Sequence, residues 1–133
     1  LRGGKTPNYD AASVDAACAA IGKSGLEPHV MIDASHANSS KKPENQPRVV
    51  ADIAGQIEAG ERRIVGVMVE SHLNAGRQEL VPGQPLAYGQ SVTDGCLGWD
   101  ESVRVLERLA QAVRRRRALA VDGFAPVRLQ AAG

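Results

Sequence analysis

The sequence predicts an α/β fold built from parallel strand–helix units. Short apolar runs rich in β-branched residues, at 30–33 and 64–69, read as strands, and segments with apolar stripes at helical spacing alternate with them. Both strand runs also end alike, in Asp33-Ala34-Ser35-His36 and in Glu70-Ser71-His72. An acidic residue, small polar residues and a histidine after a buried strand place functional side chains on the rim of a sheet. Alternation of this kind argues for βαβ units with right-handed crossovers. Two or three strands cannot close a barrel, so the chain is expected to be part of a larger barrel or to borrow partner strands from elsewhere.

Taken in order, residues 1–9 read as a strand end and a loop, because Gly3-Gly4 and Pro7-Asn8 are turn chemistry that permits close backbone approach. Arg2 thereby sits at a strand end. Over 13–24, Val14, Ala17, Cys18 and Ile21 make the stripe of an amphipathic helix that stops near Gly25, and Cys18 reads as core packing. The run Val30-Met31-Ile32-Asp33 is the first strand, followed by a polar turn from Ala34 to Ser40. Pro47 suits the first turn of a second helix that ends near Ala59, with Val49, Val50, Ile53, Ala54 and Ile57 on its apolar face and Gly60 as its stop.

The second strand, 64–69, leads into a Gly- and Pro-rich segment, 71–98, that is long for a connection and carries Asp94; long connections of this kind are commonly functional. Asp100 is the expected N-cap of a last helix whose inner face is Val103, Leu106, Leu109 or Ala110, and Val113. Arg114, Arg115, Arg116 and Arg117 close it, where positive charge complements the helix dipole; a phosphate-backbone contact is the alternative. Residues 119–133 lack a clear period and are expected to be loosely ordered, which makes 1–118 the folded part.

A net charge of +1 gives no whole-molecule field that would favour nucleic acid or an anionic membrane. No apolar run approaches the roughly 20 residues that cross a bilayer. Two cysteines are too few for a disulfide framework and suit a reducing compartment, so cytoplasm is the expected location. The chain opens on Leu1-Arg2-Gly3-Gly4 rather than methionine, as expected of part of a longer polypeptide.

His36, Glu70 and Asp94 each follow a strand or lie in the long loop after the second one, so all three can share one rim. An imidazole and two carboxylates form a borderline-to-hard donor set suited to divalent Mn, Fe, Co or Zn. The spacing obeys no compact ligand rule, and each residue alone reads more readily as a satisfied loop histidine, a solvated carboxylate or a helix-capping group. His29 and His72 take structural readings, and Cys96, two residues after Asp94, is a weaker candidate for a thiolate ligand.

Four motifs together carry a resemblance. They are Leu1-Arg2-Gly3-Gly4-Lys5-Thr6-Pro7-Asn8-Tyr9, Met31-Ile32-Asp33-Ala34-Ser35-His36-Ala37-Asn38-Ser39-Ser40-Lys41, Ile64-Val65-Gly66-Val67-Met68-Val69-Glu70-Ser71-His72, and Pro85-Leu86-Ala87-Tyr88-Gly89 with Ser91-Val92-Thr93-Asp94-Gly95-Cys96-Leu97-Gly98-Trp99. In order, and over roughly residues 1 to 117, the chain resembles the C-terminal part of the class I 3-deoxy-D-arabino-heptulosonate 7-phosphate (DAHP) synthases.

The resemblance implies the C-terminal portion of a (β/α)8 TIM barrel, about three parallel strand/helix units. It also implies a metal-dependent transferase that condenses phosphoenolpyruvate with D-erythrose 4-phosphate, giving DAHP and phosphate in the first step of the shikimate pathway to aromatic amino acids. By the same resemblance His36, Glu70 and Asp94 are metal ligands and Arg2 holds the phosphate of phosphoenolpyruvate. The family's fourth ligand is a cysteine of the N-terminal part, matched by neither Cys18 nor Cys96. The expected partners are therefore both substrates, the remaining N-terminal part of the barrel, and further copies in a homo-oligomer, with no nucleic acid or membrane. Two other readings stay open: a non-catalytic truncated remnant or assembly module, and the sister synthase that uses arabinose 5-phosphate.

Overall fold

A computed structural model describes residues 1–122 and contains, in chain order, α1 (Ala11–Lys23), β1 (Val30–Asp33), α2 (Gln46–Glu58), β2 (Ile64–Met68) and α3 (Trp99–Asp122). A 3-10 turn, Pro43–Asn45, leads into α2. The strands β1 and β2 pair in parallel, with Met31 opposite Gly66 and Asp33 opposite Met68, so the fold is α/β with a parallel sheet as expected. Asp10 caps α1 by accepting the Ser13 amide at 3.0 Å, one of the orphan donors at a helix start.

The sheet is wider than its two full strands. Leu1 donates its terminal amine to Met31 O at 2.6 Å and accepts the Asp33 amide at 2.8 Å, the slanted pattern of a parallel neighbour on the free side of β1. On the far side of β2, Leu97 donates to Glu70 O at 2.9 Å and accepts the His72 amide at 2.9 Å, again in parallel. Four chain segments thus lie side by side in the order Leu1, β1, β2, Leu97. The third strand–helix unit is reduced to such single-residue pairings among the described residues.

The core lies between the sheet and the helices. Val14 and Cys18 of α1, Ile32 of β1, Ile64 of β2, and Val49, Val50, Ile53, Ala54 and Ile57 of α2 are buried together. Cys18 fills this core as expected, with its thiol 3.4 Å from Pro28 O. Full burial of an Ile or Val side chain is worth about 1.5–3 kcal/mol, so this cluster holds the strands in register against their helices.

The last helix departs from expectation in three ways. It starts at Trp99, so Asp100 lies inside the first turn, where its charge favours the dipole, rather than at the N-cap. Its inner face is Val105, Leu109, Ala112 and Val113, while Val103 is 37% exposed and Leu106 64% exposed. And it runs on to Asp122, so 119–122 are helical and the remaining 123–133 lie outside the described residues.

The arginine run is consequently mid-helix rather than a solvated end. Arg115 reaches Glu58 at 3.3 Å, Arg116 donates to Glu61 O at 2.8 Å, and Arg108 forks onto both oxygens of Glu58. These bonds tie the C-terminal end of α2 to α3, and Arg108 first, then Arg115, holds the Glu58 carboxyl below its ordinary range.

Candidate metal centre

The stretch after β1 is built to present a side chain. Asp33 Oδ1 accepts the Ser35 amide at 2.8 Å, which closes a tight turn, and His36 follows in the left-handed region at φ 46. A non-glycine residue there is strained by about 1 kcal/mol or more, and the turn must hold it. It does so through the His36 carbonyl, which accepts from the Lys41 amide at 2.7 Å and from Ser39 Oγ at 3.2 Å. On the ring, Nδ1 lies 2.7 Å from Asp33 Oδ2, which leaves Nε2 pointing across to Glu70 Oε1 at 3.6 Å.

Glu70 sits just past β2 and is fixed at both backbone and side chain. Gln46, fully buried at the start of α2, donates Nε2 to Glu70 O at 3.1 Å and accepts the Glu70 amide on Oε1 at 2.9 Å. Ser35 Oγ donates to Glu70 Oε2 at 2.6 Å, so Oε1 is the oxygen left for the space beside His36.

Asp94 arrives from the long loop. That loop is pinned by exchange of backbone bonds between Gly76 and Cys96, at 2.8 and 3.1 Å, and Gly95 is pressed so closely on Pro43 that an added Cβ would come within 3.0 Å of its Cγ. Asp94 itself is exposed.

The outcome is convergence. One donor atom each from His36, Glu70 and Asp94 lie within 4.8 Å of one another, although the residues are far apart in sequence. Donors bound to a single first-row divalent ion at about 2.1 Å stand about 3.0 to 3.5 Å apart, so a small inward movement completes a coordination set of imidazole and carboxylates. The three line a cavity of about 280 Å³ with Arg2, Ser35, Lys41 and Gly95. Arg2 is brought there by Asn38, which is 1% exposed: its amide donates to Asp33 O and Leu1 O, and its Oδ1 accepts from the Asn8 amide at 2.7 Å.

Cys96 stands apart from the trio. Its thiol lies 3.5 Å from Asp94 O, and burial pushes it up from its ordinary value, with the charges of Glu70 and Asp94 adding to that. His29 and His72 are exposed, and His72 Nδ1 accepts the Leu73 amide at 2.8 Å, in keeping with their structural readings. Sequence reasoning missed the roles of Ser35, Gln46 and Lys41; the first and last lie inside a quoted motif, but Gln46 carries no signal beyond its place beside Pro47.

Comparison with known proteins gives the family. The family model described as "DAHP synthetase I family" matches residues 1–107. The chain belongs to that family. It is 55% identical over 118 residues to the phospho-2-dehydro-3-deoxyheptonate aldolase of Haemophilus influenzae, covering 88% of this chain and 33% of that protein. It is 54% identical over 117 residues to the Phe-sensitive phospho-2-dehydro-3-deoxyheptonate aldolase of Escherichia coli K12, with the same two coverages. Among solved structures, the phospho-2-dehydro-3-deoxyheptonate aldolase of Francisella tularensis SCHU S4 superposes with a TM-score of 0.84 at 47% identity, over 88% of this chain and 34% of that one. This member of the DAHP synthetase I family thus spans about a third of the length of the curated relatives it matches.

Proposed function

We propose that this chain is the C-terminal portion of a (β/α)8 barrel and supplies the metal-binding rim of a 3-deoxy-7-phosphoheptulonate synthase. The reaction is condensation of phosphoenolpyruvate with D-erythrose 4-phosphate to DAHP and phosphate. The observation that carries the reading is the meeting of His36 and Glu70, just past the ends of the parallel strands β1 and β2, with Asp94 of the long loop, beside Arg2. Family membership and the names of the relatives support it.

In this reading His36 Nε2, a Glu70 oxygen and an Asp94 oxygen hold a divalent ion, which when bound supplies Lewis acidity toward the aldehyde oxygen of the sugar phosphate. Arg2 binds the phosphate of phosphoenolpyruvate, because a guanidinium fork neutralises and orients a phosphate through paired hydrogen bonds. Lys41 adds a second positive group to the same cavity. Fixing both substrates against one wall of the cavity removes the entropy of their encounter. The donor set favours Mn, Fe, Co or Zn over a closed thiolate site.

The remaining strands and ligands come from the N-terminal two thirds of the barrel, the full protein assembles as a homo-oligomer, and its place is the cytoplasm. No described helix is long and apolar enough to cross a membrane. On its own the 133-residue chain does not turn over, since it brings three ligands and one of the arginines the chemistry needs. The test is reconstitution with a family N-terminal segment supplied in trans or joined upstream. The reading expects phosphate release from phosphoenolpyruvate and erythrose 4-phosphate that vanishes with chelator and with His36→Gln. Equal turnover with arabinose 5-phosphate, or turnover indifferent to both chelator and His36→Gln, overturns it.

A further inference from the structure

We infer that Asp33 is a positioning residue that fixes the tautomer of His36, holding the proton on Nδ1 so that the Nε2 lone pair faces Glu70 and Asp94. The inference rests on the metal-site reading proposed above and assigns a role to a residue outside the ligand set.

The geometry leaves Asp33 little freedom. Its backbone is in the sheet, with its amide on Leu1 O at 2.8 Å and its carbonyl accepting from Asn38 Nδ2 at 2.8 Å. Its two carboxylate oxygens are divided: Oδ1 accepts the Ser35 amide at 2.8 Å, and Oδ2 lies 2.7 Å from His36 Nδ1. An ionised carboxylate only accepts, so a neutral imidazole at that distance must present N–H from Nδ1. Nε2 is then unprotonated, and it is the nitrogen that lies 3.6 Å from Glu70 Oε1. Oδ2 is also 4.0 Å from Arg2 Nε, so one carboxylate links the phosphate-binding arginine to the ring.

Substitution by asparagine separates charge from shape and inverts the hydrogen-bond logic. The Ser35 amide still requires an acceptor, so the asparagine carbonyl must take the Oδ1 place. That turns its NH2 toward His36 Nδ1, which can only accept, and the ring proton moves to Nε2. A protonated Nε2 cannot bind an ion. Groups that accept a hydrogen bond from the far nitrogen of a metal-bound histidine are typically worth about 10- to 100-fold in metal affinity.

The experiment is long-range ¹H–¹⁵N correlation of ¹⁵N-histidine-labelled protein, without metal and at a pH where the ring is neutral. His36 is identified by the signal lost in His36→Gln. The wild-type spectrum is expected to report Nδ1–H, and Asp33→Asn to report Nε2–H. Mn²⁺ titration of the same samples, followed by electron paramagnetic resonance, is expected to show about 10- to 100-fold weaker binding in Asp33→Asn. An Nε2–H wild-type ring overturns the inference by itself, so a variant that misfolds leaves it decided. A tautomer unchanged in folded Asp33→Asn overturns it as well. Tautomer inversion with no Mn²⁺ binding even in wild type sinks the metal-site reading and leaves the Asp33 assignment standing.

Discussion

Gln46 clasps the backbone of Glu70 from a helix away, its side-chain amide donating to Glu70 O at 3.1 Å and accepting from Glu70 N at 2.9 Å. The amide mimics a sheet neighbour at the point where β2 has ended, and it does so with no solvent exposure. Gln46→Leu keeps much of the volume but strands one donor and one acceptor, for an expected loss of about 2–4 kcal/mol. Urea unfolding followed by circular dichroism measures it. Because Glu70 loses its anchor, Mn²⁺ affinity is expected to fall in the fraction that stays folded.

Gly3 sits at φ 76, and an added Cβ would lie 2.7 Å from Ala37 Cβ and 3.0 Å from Asn38 N. The loop that carries Arg2 is therefore packed backbone to backbone on the loop that carries His36. Gly3→Ala is expected to destabilise by about 1–3 kcal/mol through left-handed strain and overlap. Gly4→Ala, where nothing lies within 4 Å, is the matched control and is expected to change the urea midpoint little.

Stability should fall with acid in a window set by Glu61. Its hydrogen bond to the Arg63 side chain, opposed by burial and aided by the Arg63 amide, lowers its carboxyl from 4.5 to about 2. The folded value lies below the unfolded one, so the contribution is full above pH 4.5 and is lost as pH falls toward 2. Glu61→Gln is expected to make the decline of the urea midpoint over that range shallower. It will not abolish the decline, because Asp10 and Glu58 are lowered as well.

The strands, the first two helices and the rim residues were legible in the sequence because each has a local signature. The runs at β1 and β2 are β-branched, α2 has a single apolar stripe, and His36 and Glu70 follow strand ends directly. The facing of α3 was only partly legible: Leu109 and Val113 pack inward as expected, but Val105 and Ala112 take the inner places expected of Val103 and Leu106. Only the tertiary partner decides: Glu58 and Glu61 of the α2 end draw Arg108, Arg115 and Arg116 toward α2 and rotate Leu106 outward. Gln46 was invisible for a related reason. A buried glutamine that serves a backbone 24 residues away has no local pattern, and only its burial and bonds reveal it.

The most direct test of the convergence of His36, Glu70 and Asp94 is anomalous diffraction from crystals of the chain soaked in Mn²⁺. The account expects one anomalous peak at about 2.0–2.3 Å from His36 Nε2 and from one oxygen each of Glu70 and Asp94, absent in His36→Gln crystals. A soaked crystal with no peak in that cavity, or with a peak that survives His36→Gln, would contradict it.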